Sequence, residues 1–421
     1  MIIKYFLTFL FFITQILYCP VFAQSEDVAL KKQIDGLSKR INELEAKEKA
    51  FLGLTEKEVV TTGSPLALRI SGHINRAVVW HSNGKNSNIV HVDIDNSPSR
   101  INLTALGKIS ENTKVGAVIE EAFEPNSTDR VDVHDANDNQ PFTHRKMEVF
   151  IDDKTWGKLY LGQGSMASDG TMEDTDMSAT TVICLGSSVS FIGAGIQFFD
   201  ARTNEKALLN GQRMIVETVF DSGDGLFRRN RIRYDTPRFY GFSLQTSHYW
   251  DVVLKYAGTV KDIKIAAQGA YLHRLSKTVS VPVGSTPAKY AQANGSFGAL
   301  FPNGVSLFVS ALYRDWQSRK THNGSIYFIK LGYQHTFFEA GKTAFALDYG
   351  QYENLIFDTR PGNERDQFKG TSYGAMLVQF LDRVSTELFV GARVYRLDGP
   401  SHRAPRYKEA KLILSGMRVK F

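Results

Sequence analysis

From residue 66 to the carboxyl terminus, apolar and polar residues alternate with a period of two. Leu66, Leu68, Ile70, Gly72 and Ile74 fall on one side of the first such stretch, and Ala67, Arg69, Ser71, His73 and Asn75 on the other. Alternation of this kind predicts β-strands with one apolar and one wet face. The same period marks stretches at 99–109, 114–124, 144–151, 158–164, 229–236, 241–250, 252–258 and 262–273. It continues at 289–301, 305–316, 325–337, 343–352, 373–382 and 386–397. The chain closes on YKEAKLILSGMRVKF (407–421), where Ile413, Ser415, Met417, Val419 and Phe421 share a face opposite Gly416, Arg418 and Lys420. A strand that ends on a bare aromatic residue suits a cylinder that must zip its last strand against its first. Phe421 is therefore the expected closing residue.

The number of predicted strands is about 16, an even number of the kind closed bacterial barrels use. Short links (110–113, 152–157, 301–304, 340–342) alternate with long ones (317–324, 353–369, 398–406), the loop pattern of a membrane barrel. Two soluble β-sandwiches are the competing architecture, but they predict denser apolar faces and links of mixed length. The fold class expected is all-β: a transmembrane antiparallel barrel over 66–421, preceded by a short helical segment.

That helical segment has a different period. In 24–53, Leu30, Ile34, Leu37, Ile41, Leu44 and Phe51 follow 4-3-4-3 spacing, interrupted at Glu48. Ile at a and Leu at d predict a coiled coil of about three heptads, too short to persist without partner copies. A lone amphipathic helix on the barrel or membrane surface is the alternative. Residues 54–65 read as a linker. Residues 1–23 carry Lys4, an apolar stretch and a small-residue end at Ala23, which predicts a cleaved signal peptide. Cleavage would lower the formal charge from +6 to +5 and leave Cys184 as the one thiol, which excludes a disulfide scaffold.

Mean hydropathy is −0.22 with 12% aromatic residues, and no apolar run beyond residue 23 approaches the roughly 20 residues of a spanning helix. The basic residues are dispersed, so nucleic acid is not an expected partner. No G-x-S-x-G, phosphate-cradling loop or Ser/His/acid grouping is present, and His73, His81, His91, His134 and His144 have no metal-ligand spacing. An enzyme, a cofactor and a metal centre are not expected. The acidic runs at 93–96 and 132–139 read as solvated loops before they read as Ca²⁺ sites.

Three patches resemble Gram-negative general porins. RNRIRYDTPRFYGFSLQTSHYW (229–250) is similar to that family's strand–turn–strand, in which an N-S-I-R-Y-D-S-P-type segment precedes a G-F-S-type strand. SRINLTALGKI (99–109) and RKMEVFIDDKTWGKLYLGQG (145–164) resemble its early strands and the turn before its inward-folded third loop. The added helix resembles the DcaP-like porins, which carry an amino-terminal coiled coil. The resemblance implies a 16-stranded homotrimeric channel of the outer membrane, inserted by the barrel assembly machinery, in contact with lipid and lipopolysaccharide, with the coiled coil in the periplasm. It also implies passive diffusion of small hydrophilic solutes and ions. Two other readings stay open: a substrate-selective channel for anionic nutrients such as dicarboxylates or phosphate, and a structural or adhesive surface barrel.

Arg229, Arg231 and Arg233 lie two apart and so share one strand face. Charge at membrane depth on the lipid side is costly, so the row is expected to face the lumen; binding lipopolysaccharide phosphates at the rim is the alternative. The resemblance makes the stretch around 165–228 a constriction loop, carrying Asp169, Glu173, Asp174 and Asp176 opposite the arginines. Such an arrangement would set up a transverse field. By phase, Arg69, Lys264, Lys330, Arg393, Arg418 and Lys420 are expected to line the pore. SSVSFIGAGIQFF (187–199) is too apolar for a free loop, and packing inside the barrel or at a subunit contact both suit it.

Overall fold

In the computed structural model, the structure describes residues 58–60, 67–134, 142–248, 250–274, 289–317, 321–358, 363, 366–400, 402 and 406–421. The signal-peptide and coiled-coil expectations lie outside these residues. Within the expected linker, Glu58–Val60 forms a short strand that pairs Glu58 with Arg69 and Val60 with Ala67.

Apart from a two-stranded ribbon of Leu208–Leu209 and Gln212–Arg213, the remaining strands close into an antiparallel barrel of sixteen. They are β1 (Ala67–Ser82), β2 (Ser87–Asp93 and Arg100–Lys108), β3 (Thr113–Ala122), β4 (Thr143–Asp153), β5 (Gly157–Ser165) and β6 (Arg228–Asp235). Next come β7 (Phe242–Ser247), β8 (Asp251–Val260), β9 (Ile263–Arg274), β10 (Tyr290–Leu300) and β11 (Val305–Asp315). The last five are β12 (Gly324–Phe338), β13 (Gly341–Glu353), β14 (Lys369–Leu381), β15 (Thr386–Asp398) and β16 (Ala410–Lys420).

Every sequence neighbour pairs, and β16 returns to β1 in the register His73↔Lys420 to Ser82↔Lys411. Phe421 completes the seam: its N–H donates to the Gly72 carbonyl at 3.0 Å, and the Gly72 N–H donates back at 2.9 Å. A Cβ on Gly72 would sit 2.8 Å from the Phe421 ring, so glycine is what lets the terminal aromatic lie flat on the first strand.

β2 is one stave broken in the middle. Its first piece pairs with β1 from Arg76↔Asp93, and its second from His73↔Arg100, so residues 94–99 leave the sheet. They turn inward, where the Asn96 side chain donates to the Thr181 carbonyl at 2.8 Å and accepts from the Leu185 N–H at 3.1 Å.

The outer face follows the predicted alternation. On β6, Ile232 and Tyr234 are exposed while Arg231 is buried; on β12, Tyr327, Ile329, Leu331 and Tyr333 are exposed while Ile326, Phe328 and Lys330 are buried. With no water in hydrocarbon to satisfy backbone groups, a closed ladder with apolar side chains outward is the viable spanning form.

The interior departs from a uniformly wet wall. The 62 residues between β5 and β6 fold into the lumen as a plug with an apolar core. Ile183, Val189, Ile192, Ile196, Phe198, Val216 and Phe220 are buried against Phe308, Ile326, Tyr352, Met376, Phe389, Tyr395 and Leu412 of the wall. The Phe220 ring meets Tyr352 and Tyr395 edge-on, each at 5.0 Å between centroids. The Tyr395 hydroxyl donates to the Val189 carbonyl at 2.6 Å. Each such side chain contributes roughly 1.5–3 kcal/mol on burial, which makes the plug part of the barrel's core. Two wall glycines permit the contact: a Cβ on Gly298 would lie 1.7 Å from the Thr175 carbonyl oxygen, and one on Gly332 3.0 Å from the Ser178 Cβ. The apolar 187–199 run is therefore explained by packing inside the barrel.

Candidate functional site

The plug covers the inner wall from β9 round to β1. Opposite, on β2 to β6, several charged side chains on the lumen face keep part of their surface open. Arg100, Lys146 and Arg228 are 21%, 30% and 30% exposed in their side chains, whereas Lys330 and Arg393 behind the plug are sealed.

The wall cluster centres on Glu120 of β3. Its Oε1 accepts from Arg145 Nε at 2.6 Å and lies 3.5 Å from an Arg100 guanidinium nitrogen. Its Oε2 accepts from the Asn102 amide at 3.2 Å and lies 3.5 Å from Lys146 Nζ. One carboxylate thus stands among three cations. Arg145 and Lys146 are adjacent in sequence and would ordinarily face opposite ways. The β3–β4 register shifts between Glu120 and Glu121, and this bulge re-aims Arg145 into the lumen. Period-two reading cannot see such a shift.

The expected arginine row points inward as its phase requires, but two of its members are neutralised on the wall itself. Arg231, only 1% exposed in its side chain, pairs with Glu148 and donates to the Ser165 and Gly162 carbonyls at 2.9 and 3.1 Å. Arg233 forks onto Asp235 at 2.7 and 2.9 Å and also donates to the Ser165 and Met166 carbonyls. Arg229 donates to the Leu226 carbonyl at 3.0 Å. On β6 the basic residue that faces a plug carboxylate is Arg228, 3.9 Å from Asp169. It precedes the expected row and turns inward after Phe227, whose φ of +54° breaks the strand's phase.

The four expected loop carboxylates separate into different settings. Asp169 and Glu173 are buried at the neck of the plug, and Glu173 accepts from the Ser188 hydroxyl. Burial, ahead of the neighbouring Asp174 and Asp169 charges, pushes the Glu173 carboxyl up to about 8. Asp174 is half open and meets Lys255 of β8 at 3.4 Å. Asp176 is not at the charged wall at all. It lies on the plug's seat against the wall, 2.8 Å from Lys330, with both side chains 0% exposed. Despite its burial, Lys330 holds this carboxyl below its ordinary range.

The expected lining residues differ likewise. Lys330 also donates to the Cys184 carbonyl at 2.7 Å, and Arg393 forks onto Asp348 at 2.8 and 2.6 Å, fully buried. Both face inward yet are dry, because the plug covers them. Arg418 donates to Glu387 at 2.6 Å and to the Ser97 hydroxyl at 2.8 Å, and Lys420 contacts the same Glu387. Arg69 and Lys264 are exposed near the short-turn end.

Sequence reasoning missed Arg100, Glu120, Arg145, Lys146, Arg228 and Lys255. It read Asp95, in the acidic run at 93–96, as part of a solvated loop and missed Glu124, Asp129 and Glu217; these four act on one another and, through Asp95 and Glu124, on Arg145. The geometry sets a basic cluster on the wall of β2 to β6 beside carboxyls of the plug and the inward-turned segments. Among the described residues no group of His, Cys, Asp or Glu is placed to hold a metal ion.

A family profile described as Gram-negative porin matches residues 59–400. No curated protein matches the sequence. Among solved structures, the chain is similar to an anion-selective porin from Comamonas acidovorans, with TM-score 0.53 and 13% identity over 85% of this chain and 100% of that one. It is similar to the trimer form of OmpT, an outer-membrane protein of Vibrio cholerae, with TM-score 0.51 and 12% identity over 85% and 100%. It is also similar to the outer-membrane channel DcaP of Acinetobacter baumannii, with TM-score 0.50 and 11% identity over 86% and 99%.

Proposed function

This chain belongs to the Gram-negative porin family, outer-membrane barrels for passive diffusion, and we propose that its solutes cross through the crescent between the plug and the wall of β2 to β6. The observation that carries this reading is the asymmetry of the lumen. One arc is interlocked with the plug and dry, its Lys330 and Arg393 closed into buried ion pairs, and the other is charged and partly open. Small hydrophilic solutes fit a passage lined in this way, since apolar ones would forfeit the hydrogen bonds of the wall groups. The family and the fold are those of a channel rather than an enzyme.

Within the crescent the field favours anions. Arg100, Arg145 and Lys146 outnumber Glu120, and the plug carboxyls Glu173 and Glu217 are pushed up by burial to about 8 and about 7. At neutral pH the passage therefore carries less negative charge than its residues suggest. Conductance in a planar bilayer under a KCl gradient tests this reading. Stepwise openings with an anion-selective reversal potential support it, and silent inserted protein or cation selectivity refutes it. The convergence of three cations also suits saturable uptake of anionic nutrients, which flux that levels off with solute concentration would reveal.

Assembly as a homotrimer is supported by the trimer form of OmpT. The heptads at 30–44 suit a periplasmic coiled coil that helps hold three copies together. Deleting 26–53 should then lower the heat stability of the trimer; an equally stable trimer would remove that role.

A further inference from the structure

Where β2 leaves the sheet, its turn brings two arginines of different strands onto one hydroxyl. Arg418 of β16 and Arg100 of β2 flank β1 on opposite sides, in the registers Asn75↔Arg418 and His73↔Arg100. Ser97, carried inward by the break, accepts at its Oγ from an Arg418 nitrogen at 2.8 Å and from an Arg100 nitrogen at 3.3 Å. His73, on β1 between them, places its Nε2 3.4 Å from Arg100 Nε and 3.3 Å from the same Ser97 hydroxyl. The Asn75 amide fixes the turn by donating to the Ser97 carbonyl at 2.9 Å.

We propose that this junction, at the barrel seam where the sealed arc meets the crescent, is a binding subsite for a small oxyanion of the phosphate or carboxylate class. Its part in transport rests on the reading that solutes follow the crescent; its affinity for oxyanions does not.

Charge at the junction is unbalanced. Arg418 and Lys420 share the single carboxylate of Glu387, and Arg100, Arg145 and Lys146 share that of Glu120, so five cations bond two acids. Arg100 is loosely held: its contacts to Glu120, Ser97 and His73 run from 3.3 to 3.5 Å, at the long edge of hydrogen bonding, and one of the three is to a carboxylate. The Ser97 hydroxyl carries no charge to offset the two guanidiniums gathered on it. An oxyanion carries that charge, and its paired oxygens match the planar fork of arginine, as a halide's single centre does not. The donors are within reach of the lumen, since Arg100 and Lys420 keep 21% and 46% of their side-chain surface open.

The experiment sets inorganic phosphate against the full-length protein in two ways: block of KCl current in a planar bilayer, and the heat of binding to the protein in detergent. The variants are Arg418→Lys and Arg100→Lys, each of which keeps its charge beside its carboxylate but loses the fork. Phosphate should bind wild type saturably and block its current. Either variant should raise the half-blocking and half-binding concentrations about tenfold, what losing one charge-assisted hydrogen bond costs. Folded variants that match wild type overturn the site, as does a conducting wild type that neither binds phosphate nor is blocked by it, and both results leave the channel reading intact. A wild type that binds phosphate yet stays silent once inserted removes the channel reading and leaves the site. One that does neither removes both.

Discussion

Replacing Glu120 by Gln isolates the charge balance of the crescent in one atom's change. The amide oxygen of Gln can still accept from Arg145, which now bonds Oε1 at 2.6 Å, but the amide nitrogen cannot accept from Asn102, which bonds Oε2 at 3.2 Å. Shape is kept and one negative charge is lost among Arg100, Arg145 and Lys146. For a permeating monovalent ion passing at roughly 8 Å in water-like dielectric, one unit charge is worth about 0.5 kcal/mol. Anions gain that amount and cations lose it, so the anion-to-cation permeability ratio should rise about fivefold. The variant pays in stability, since removing one partner of a buried ion pair costs about 3–5 kcal/mol, and less where the cations stay partly wetted, as Lys146 does. A barrel with sixteen closed ladders should absorb that cost. The assay is the reversal potential of purified protein in a planar bilayer under a KCl gradient. An unchanged potential, or a shift toward cations, would refute the placement of Glu120 beside the ion path.

Other consequences follow from the plug's seat. Lys330→Met leaves Asp176 buried without its cation and should destabilise the folded barrel by about 3–5 kcal/mol, and adding Asp176→Leu should restore much of the loss; heat-dependent gel mobility measures both. Gly298→Val places atoms where the Thr175 carbonyl lies and should lift the plug from β10, lowering heat stability and changing single-channel conductance. The Cys184 thiol, pushed up to about 12 by burial, should resist maleimide in the folded protein at neutral pH and react once the barrel is denatured.

Much of this architecture is legible in the chain because a barrel strand states its two environments residue by residue. The sixteen staves, the terminal Phe421 seam and the inward phase of Arg229, Arg231 and Arg233 all follow from a period of two. That period gives the side a residue faces, not what covers it. Lys330 and Arg393 face inward as read, yet the plug converts them from wet lining into buried ion pairs. The apolar run at 187–199 was the one local hint that the lumen holds a core. Arg145 and Arg228 escaped because a bulge and a left-handed Phe227 each shift the phase by one, and both depend on pairing that a single strand's sequence does not contain. The β2 break at 94–99 is of the same kind: its two registers differ only in relation to β1.

The central claim is that ions travel along the charged crescent and not through the arc sealed by the plug. It is tested most directly by conductance during cysteine modification, using Asn102→Cys on the β2 wall and Ser372→Cys on β14, which is sealed behind the plug. A cationic methanethiosulfonate reagent added to open channels should reduce current in Asn102→Cys and leave Ser372→Cys untouched, with Cys184 silent in both. Block at residue 372, or none at residue 102, would contradict the account.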